Sequence, residues 1–270
     1  MSKILGVDHI VTSCKNIKIV SEKFNNSKYT TMFIEHGLQS TTEKKPYLKK
    51  FTLNHDAVFL KSKHALAIEA IDHNSEPIKT VGPYQLLLKN NNKFFLEEKN
   101  PKNNIITLIM EKAFGFPVYL EKIPELNMSY YNHDEKLYDG LSAVIVECEN
   151  LSKCTDFWEK AIGFKIVKNV KEEIPWCLME FPGIVSSMTI KLLLIETKTT
   201  KEKSYLDFSG WTCLSFIVTG INSSLKHVKK FGAKDIGKPY SMKIGGNNIT
   251  LSFFRGPEGE LIEFLELNNN

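Results

Sequence analysis

The sequence predicts an α+β fold built from four copies of one β-α-β-β-β unit, on the strength of a repeat, capped helices and strand runs. The repeat is the strongest of the three. Gly6-Val-Asp-His-Ile-Val-Thr-Ser-Cys-Lys-Asn-Ile17 recurs without a gap as Gly140-Leu-Ser-Ala-Val-Ile-Val-Glu-Cys-Glu-Asn-Leu151 and as Gly210-Trp-Thr-Cys-Leu-Ser-Phe-Ile-Val-Thr-Gly-Ile221. Gly82-Pro-Tyr-Gln-Leu-Leu-Leu-Lys-Asn-Asn-Asn-Lys93 is a weaker fourth copy. Such self-similarity marks a chain assembled from like units.

In unit one, residues 7–13 alternate and are rich in β-branched types, which marks a strand. Asn16 caps a helix with Ile17, Ile19, Val20 and Phe24 on one face. Strands follow at 30–36 and 56–60. Residues 64–71 fit a strand or a short helix, and the repeat favours the strand. Unit two, about 80–123, is degraded. It has strands at 84–88, 105–110 and 117–123, an asparagine-rich stretch containing Phe94 and Phe95, and no firm helix. The polar run 124–139 reads as a linker. Unit three has a strand at 141–148, a cap at Asn150 and a helix stopped by Gly163. Strands at 164–169, 176–181 and 188–196 complete it. In unit four, strand 212–218 precedes a helix capped by Asn222 or Ser223 and closed by Gly232. Strands follow at 239–244 and 248–254, around a Gly245-Gly246 hairpin turn. In the last strand, 260–267, Leu261, Glu263 and Leu265 share one side and Ile262, Phe264 and Glu266 the other. The expected division is an N-terminal domain at 1–123 (units one and two), the linker, and a C-terminal domain at 140–270 (units three and four).

At 270 residues the chain is comfortable for two domains. It is 42% hydrophobic and 24% charged, ordinary for a globular protein. The net charge of +4 does not argue for nucleic acid. The basic clusters Lys44, Lys45, Lys49 and Lys50, and Lys198, Lys201 and Lys203, read as solvated loops, with no interleaved aromatics or recognised motif. Five cysteines without a CxxC suit inert core thiols in a reducing cytosol. The absence of a signal-peptide run or membrane-length apolar segment points to a cytoplasmic protein with no membrane partner. The expected partner is a small molecule, and the expected assembly a monomer or homodimer. There is no phosphate loop, no nucleotide-cofactor motif and no Ser-His-Asp arrangement, and no catalytic residue is assigned.

Asp156-Phe-Trp-Glu-Lys-Ala-Ile-Gly-Phe164 resembles the helix-to-strand signature of the vicinal oxygen chelate superfamily, which includes glyoxalase I, bleomycin-resistance proteins, fosfomycin-resistance enzymes and extradiol dioxygenases. Arg255-Gly-Pro-Glu-Gly-Glu-Leu-Ile-Glu-Phe264 resembles its turn and last strand, and Val7-Asp-His-Ile10 its opening strand. The resemblance covers nearly the whole chain and is weak only in unit two. It implies paired units, each pair a curled mixed sheet forming a cup. It also implies a divalent metal held by first and last strands, chelating adjacent substrate oxygens.

Carried over residue by residue, the resemblance puts Ala143 and Cys213 at the first-strand positions of the C-terminal pair. Alanine cannot ligate and a thiolate is atypical for the superfamily. Glu263 matches the last-strand carboxylate, and Glu196 is the loose equivalent in unit three. The C-terminal cup is therefore expected to lack a metal, with Cys213 and Glu263 as lining residues. In the N-terminal pair His9 matches the first ligand, Glu69 the unit-one carboxylate and Gln85 the second first-strand position. The last strand of unit two offers Tyr119 or Glu121. The expected metal set is thus His9, Glu69, Gln85 and Glu121, suited to Zn, Ni, Mn or Fe, with Tyr119 beside it. His55, His64 and His73 lie near unit one's strands, where they could line the cup or act as a base, with surface exposure the default.

Three functions follow. The first is a metal-dependent lyase, isomerase, epimerase or dioxygenase acting on a small oxygenated molecule in the N-terminal cup. The second is a metal-free binding or sequestering protein of the bleomycin-resistance type. The third is an interaction protein with both cups filled. Fold alone does not choose among them.

Overall fold

The computed structural model describes residues 3–25, 28–63, 65–79, 84–90, 93–97, 109, 112–113, 118–121, 140–184, 189–198 and 202–268. Fifteen strands are described: β1 (Lys3–Ser13), β2 (Thr30–Gln39), β3 (Asn54–Lys61), β4 (Ala67–Asp72), β5 (Tyr84–Asn90), β6 (Lys93–Glu97), β7 (Val118–Glu121), β8 (Gly140–Cys148), β9 (Lys165–Val170), β10 (Trp176–Pro182), β11 (Thr189–Glu196), β12 (Gly210–Thr219), β13 (Tyr240–Ile244), β14 (Asn247–Arg255) and β15 (Leu261–Leu267). Helix Ile17–Asn25 follows β1, and Leu151–Asp156 with a π turn at Phe157–Ile162 follows β8. Helix Ile221–Lys230 follows β12. Units one, three and four are therefore β-α-β-β-β, as the repeat predicts.

Unit two departs from that pattern. Its β5 turns back at once into β6 as an antiparallel hairpin, with Asn90 paired to Lys93, where the other units cross over through a helix. A run of asparagines suits a tight turn better than a helix start. Phe94 and Phe95 lie in β6. Of the strand expected at 105–110, Ile109 is helical, as are Lys112 and Ala113. The rest of that stretch and the linker 124–139 lie outside the described residues.

The helix ends follow local chemistry. Asn16 Oδ1 accepts from the N–H groups of Lys18 and Ile19 at 3.0 and 3.3 Å. Asn150 Oδ1 accepts from Lys153 at 2.9 Å. Gly163 closes its helix at φ 104°, in the left-handed region. The unit-four helix differs from expectation, because neither Asn222 nor Ser223 caps it. Its N-cap is Gly220, and the Glu266 carboxylate of β15 takes the N–H groups of Gly220 and Ile221.

The strands form two sheets. The eight-stranded sheet runs β13-β14-β15-β12-β1-β4-β3-β2, and the seven-stranded sheet β7-β6-β5-β8-β11-β10-β9. Unit one is thus paired with unit four, and unit two with unit three, rather than in chain order as the sequence suggested. The reason lies in the edges of the first strands. β1 offers its free side to β12, from Lys3 opposite Thr219 to Ser13 opposite Gly210. β5 offers its own to β8. The eight-stranded sheet curls until its ends meet, where Gly245 N–H donates to Glu35 Oε1 at 3.1 Å.

The convex faces and helices enclose one apolar core. Trp158, fully buried, meets Phe157 and Phe164 edge-on at centroid distances of 5.6 and 5.5 Å, and Phe216 at 6.4 Å. Each such ring contributes about 1.5–3 kcal/mol through burial. The sheets touch closely where Ile184 N–H donates to Val7 O at 2.8 Å. A Cβ on Gly6 would stand 2.5 Å from Pro182 O, so only glycine permits this approach.

The seam yields a prediction. Segments 1–139 and 140–270 expressed separately each lack the partner strand of their first strand. Each alone gives an aggregating or unfolded product in circular dichroism and gel filtration, whereas co-expression restores one folded complex. Two independently folded halves would contradict the observed pairing.

Candidate functional site

Alternation along each strand of the eight-stranded sheet decides what enters its cup. Cys213 and Ile217 of β12, Leu261 and Leu265 of β15, and Val11 of β1 belong to one buried cluster on the concave side. Leu214, Phe216, Ile262 and Phe264 belong to the core on the other side. Glu263 falls between Leu261 and Leu265 and points with them, as its sequence alternation predicts. A register shift between Val7 and His9 brings Asp8 and His9 to the same cavity. The cavity measures about 200 Å³. Its walls are apolar, with Phe33 stacked on Phe59 at 5.4 Å.

Polar groups gather at its floor. His9 is 4% exposed. Its Nδ1 lies 2.8 Å from Asp8 Oδ2, which fixes the ring. Its Nε2 faces Glu69 Oε2 at 3.3 Å and Glu263 Oε2 at 3.7 Å, without a hydrogen bond of good geometry to either. Ser215 Oγ donates to Glu263 Oε2 at 2.6 Å. The ring edge of Phe59 holds His9 from the side, centroids 5.3 Å apart.

The electrostatics follow from burial and crowding. Burial opposes charge on His9, but Asp8 and Glu69 outweigh it and raise its pKa to about 10. Glu69 is also opposed by burial, yet the His9 imidazolium holds it below the usual carboxylate range. Burial first and Glu69 second push Glu263 up to about 7, against the pull of His9. Two carboxylates at one imidazole cannot both ionise freely.

The sequence-predicted residues separate. His9, Glu69, Glu263 and Cys213 belong to the eight-stranded sheet, and the first three line the cavity. Cys213 is fully buried, and burial raises its thiol well above its ordinary value. Gln85 lies on β5 and Tyr119 and Glu121 on β7, in the other sheet. His9 and Glu69 are thus joined by Glu263 of unit four rather than by Gln85 and Glu121 of unit two. Glu196 does not occupy a lining position. Its Oε2 accepts from Leu151 N–H at 2.9 Å at the start of the unit-three helix. Glu266 does the same in unit four, so the counterpart of Glu263 is Leu193, three residues before Glu196. Leu193, Ala143, Ile145 and Trp176 share a wholly apolar cluster on the second sheet.

Three floor residues escaped the sequence reading as site groups: Asp8, Ser215 and Lys44. Lys44 is 6% exposed, not a solvated loop residue. His55 and His73 are each 2% exposed, against the surface placement expected of them. His64 lies outside the described residues. The alternation of Cys213, Ser215 and Ile217 was the one available signal for Ser215. Nothing local distinguishes Lys44 from Lys45 beside it, which is exposed.

The superfamily resemblance implies a divalent ion, and the donor set can be tested against one. Bonds of about 2.0–2.2 Å put neighbouring donors on one ion roughly 3–3.5 Å apart. The His9–Glu69 separation matches, and Glu263 is slightly far. Among the described residues no three His, Cys, Asp or Glu side chains already stand as a group placed to hold an ion. Imidazole with two carboxylates, and Asp8 behind the ring, is chemistry that fits a first-row divalent ion.

Comparison with known proteins was made at three levels. No protein-family profile matches the sequence, and no curated protein matches it. Among solved structures, glyoxalase I from Zea mays aligns over 98% of this chain and 93% of its own, at TM-score 0.51 and 12% identity. A point mutant of the same maize enzyme aligns over 98% and 94%, at TM-score 0.50 and 12% identity. The chain therefore has the glyoxalase-like fold. No helix among the described residues is long and apolar enough to cross a membrane.

The Ser215–Glu263 bond generates a test. Removing the hydroxyl leaves a buried carboxyl short of a donor, so Ser215→Ala lowers stability by about 1–3 kcal/mol in urea denaturation. An unchanged midpoint would show that Glu263 does not depend on Ser215.

Proposed function

We propose that this protein is an enzyme acting on a small oxygenated molecule in the cup shared by units one and four. His9, Glu69 and Glu263 are the residues that would hold a divalent metal ion there. One observation carries the reading: His9 Nε2, backed by Asp8, faces two carboxylates at the floor of an apolar cavity. When bound, such an ion supplies Lewis-acid polarisation of the substrate's oxygens.

The chain's own residues do the rest. Asp8 holds a proton on His9 Nδ1, and Nε2 would become a donor atom once an ion displaced its own proton. Ser215 Oγ donates to Glu263 Oε2 and orients that carboxylate toward the floor. The Phe33–Phe59 pair and the aliphatic walls displace water, which strengthens every polar contact at the floor. The cup of units one and four thus replaces the expected cup of units one and two, with Glu263 of the last strand in place of Gln85 and Glu121.

A metal-free binding protein is a second reading, and one observation favours it. The Lys44 ammonium lines the same cavity and opposes a second cation.

Titration of untagged, EDTA-treated protein with Mn(II), Ni(II) and Zn(II) decides between them. One ion is expected to bind per chain. At a hundredfold excess over its Kd it stabilises the fold by about 2.7 kcal/mol. His9→Ala weakens binding at least tenfold, and Glu121→Gln leaves it unchanged. Absence of stoichiometric binding by the wild type would reject the metalloenzyme and leave the binding protein.

A further inference from the structure

We infer that Lys44 is the specificity-determining residue of the cup, selecting a ligand with one carboxylate group on an apolar body. The inference rests on the reading of this cup as a small-molecule site, not on the metal.

Lys44 comes from outside the repeated strand frame. It sits on a 3-10 helix, Thr42–Tyr47, in the connection between β2 and β3. That connection is tied down along its length. Tyr47 Oη donates to Asp235 O at 2.6 Å and to Phe253 O at 2.9 Å. Leu206 N–H donates to Tyr47 O at 2.8 Å. Lys49 and Lys50 N–H donate to the Asp207 carboxylate at 2.9 and 2.7 Å. Lys44 is therefore held inward by its surroundings, while Lys45, Lys49 and Lys50 reach solvent.

Inside, the amine lacks an ionic partner. Among the described residues no carboxylate lies within ion-pairing distance of Lys44, and its one polar side-chain contact is His55 Nε2 at 3.4 Å. His55 is uncharged, because burial and the Lys44 charge push its pKa down to about 3. Its Nδ1 is engaged with Ser40 Oγ at 3.1 Å. Glu69 and Glu263 favour charge on Lys44 from farther off, while burial opposes it more strongly. A buried cation without a contact anion is costly to hold. An anionic ligand group removes that cost, and Lys44 is the only lysine or arginine among the cavity's described lining residues.

The charge count narrows the ligand. The His9 imidazolium is matched by Asp8 and Glu69. Lys44 is thus the cation among the described lining residues without a carboxylate in contact, and it balances a monoanion. A doubly charged phosphate would face Glu69 and Glu263 with a charge unmatched. Apart from Asn247, the remaining walls are hydrocarbon, with the stacked Phe33 and Phe59 suited to a flat or branched apolar body.

Calorimetric titration of EDTA-treated protein with benzoate and with benzamide, its uncharged analogue, tests this. Benzoate is expected to bind at least tenfold more tightly than benzamide. Lys44→Met brings benzoate to the level of benzamide and leaves benzamide unchanged, and Lys45→Met, on the same helix, preserves the preference. Equal binding of the two probes, no binding of benzoate at millimolar concentration, or a preference that survives Lys44→Met overturns the inference. If Lys44→Met fails to fold, Lys44→Gln takes its place, and equal wild-type binding of the two probes overturns the inference without any variant. Because metal is absent throughout, a failed metal titration leaves a positive result here intact, and a positive metal titration does not rescue a negative one.

Discussion

The antiparallel seam between β1 and β12 is the constraint on which the rest of the structure depends. It joins the first strand of the chain to one some two hundred residues later, with His9 opposite Ser215. Each of these strands also pairs in parallel with the last strand of its own unit. Val11 of β1 lies beside Glu69, and Ser215 of β12 beside Glu263. Four adjacent hydrogen-bonded strands thus bring three sequence-distant polar side chains to one point. Register leaves little freedom, because a slip of one residue would turn all of them out of the cup.

The same seam explains why the two sheets differ. In the eight-stranded sheet the concave face keeps an imidazole, two carboxylates and a lysine among aliphatic walls. In the seven-stranded sheet the corresponding described positions are Ala143, Ile145 and Leu193, packed with Trp176. One cup leaves polar groups facing a cavity, whereas these described positions of the other sheet pack on one another as hydrocarbon. Polar floor groups are tolerable only because they support one another. Asp8 answers His9, Ser215 answers Glu263, and the imidazole lies between the carboxylates. Lys44 stands apart from that mutual support, which is why it carries the argument about the ligand.

Much of the architecture was legible in the chain. The repeat located units one, three and four, and Asn16, Asn150 and Gly163 marked helix ends through interactions spanning only a few residues. The side of β15 that carries Glu263 followed from alternation alone. Within the candidate site, His9, Glu69 and Glu263 were each visible as residues of interest. Their grouping was not, because the sequence suggested that neighbouring units pair. Glu196 was misplaced for a related reason: the carboxylate three residues beyond the cup position serves a helix N-terminus, and a sequence alone does not distinguish two acids that serve different neighbours. Lys44 was invisible as a site group because its burial depends on contacts with residues more than a hundred positions away, such as Tyr47 with Phe253.

The sequence by itself determined the local quantities: which residues form strands and helices, where most helices start and stop, and which side of each strand a side chain takes. These depend on backbone sterics and on hydrogen bonds a few residues long. Only the tertiary structure decided which first strands share an edge, and therefore which of the acids meets His9 and which lysine is drawn inside. That choice depends on the complementarity of whole strand edges and on the packing of helices between two sheets. No single stretch of the chain carries that information.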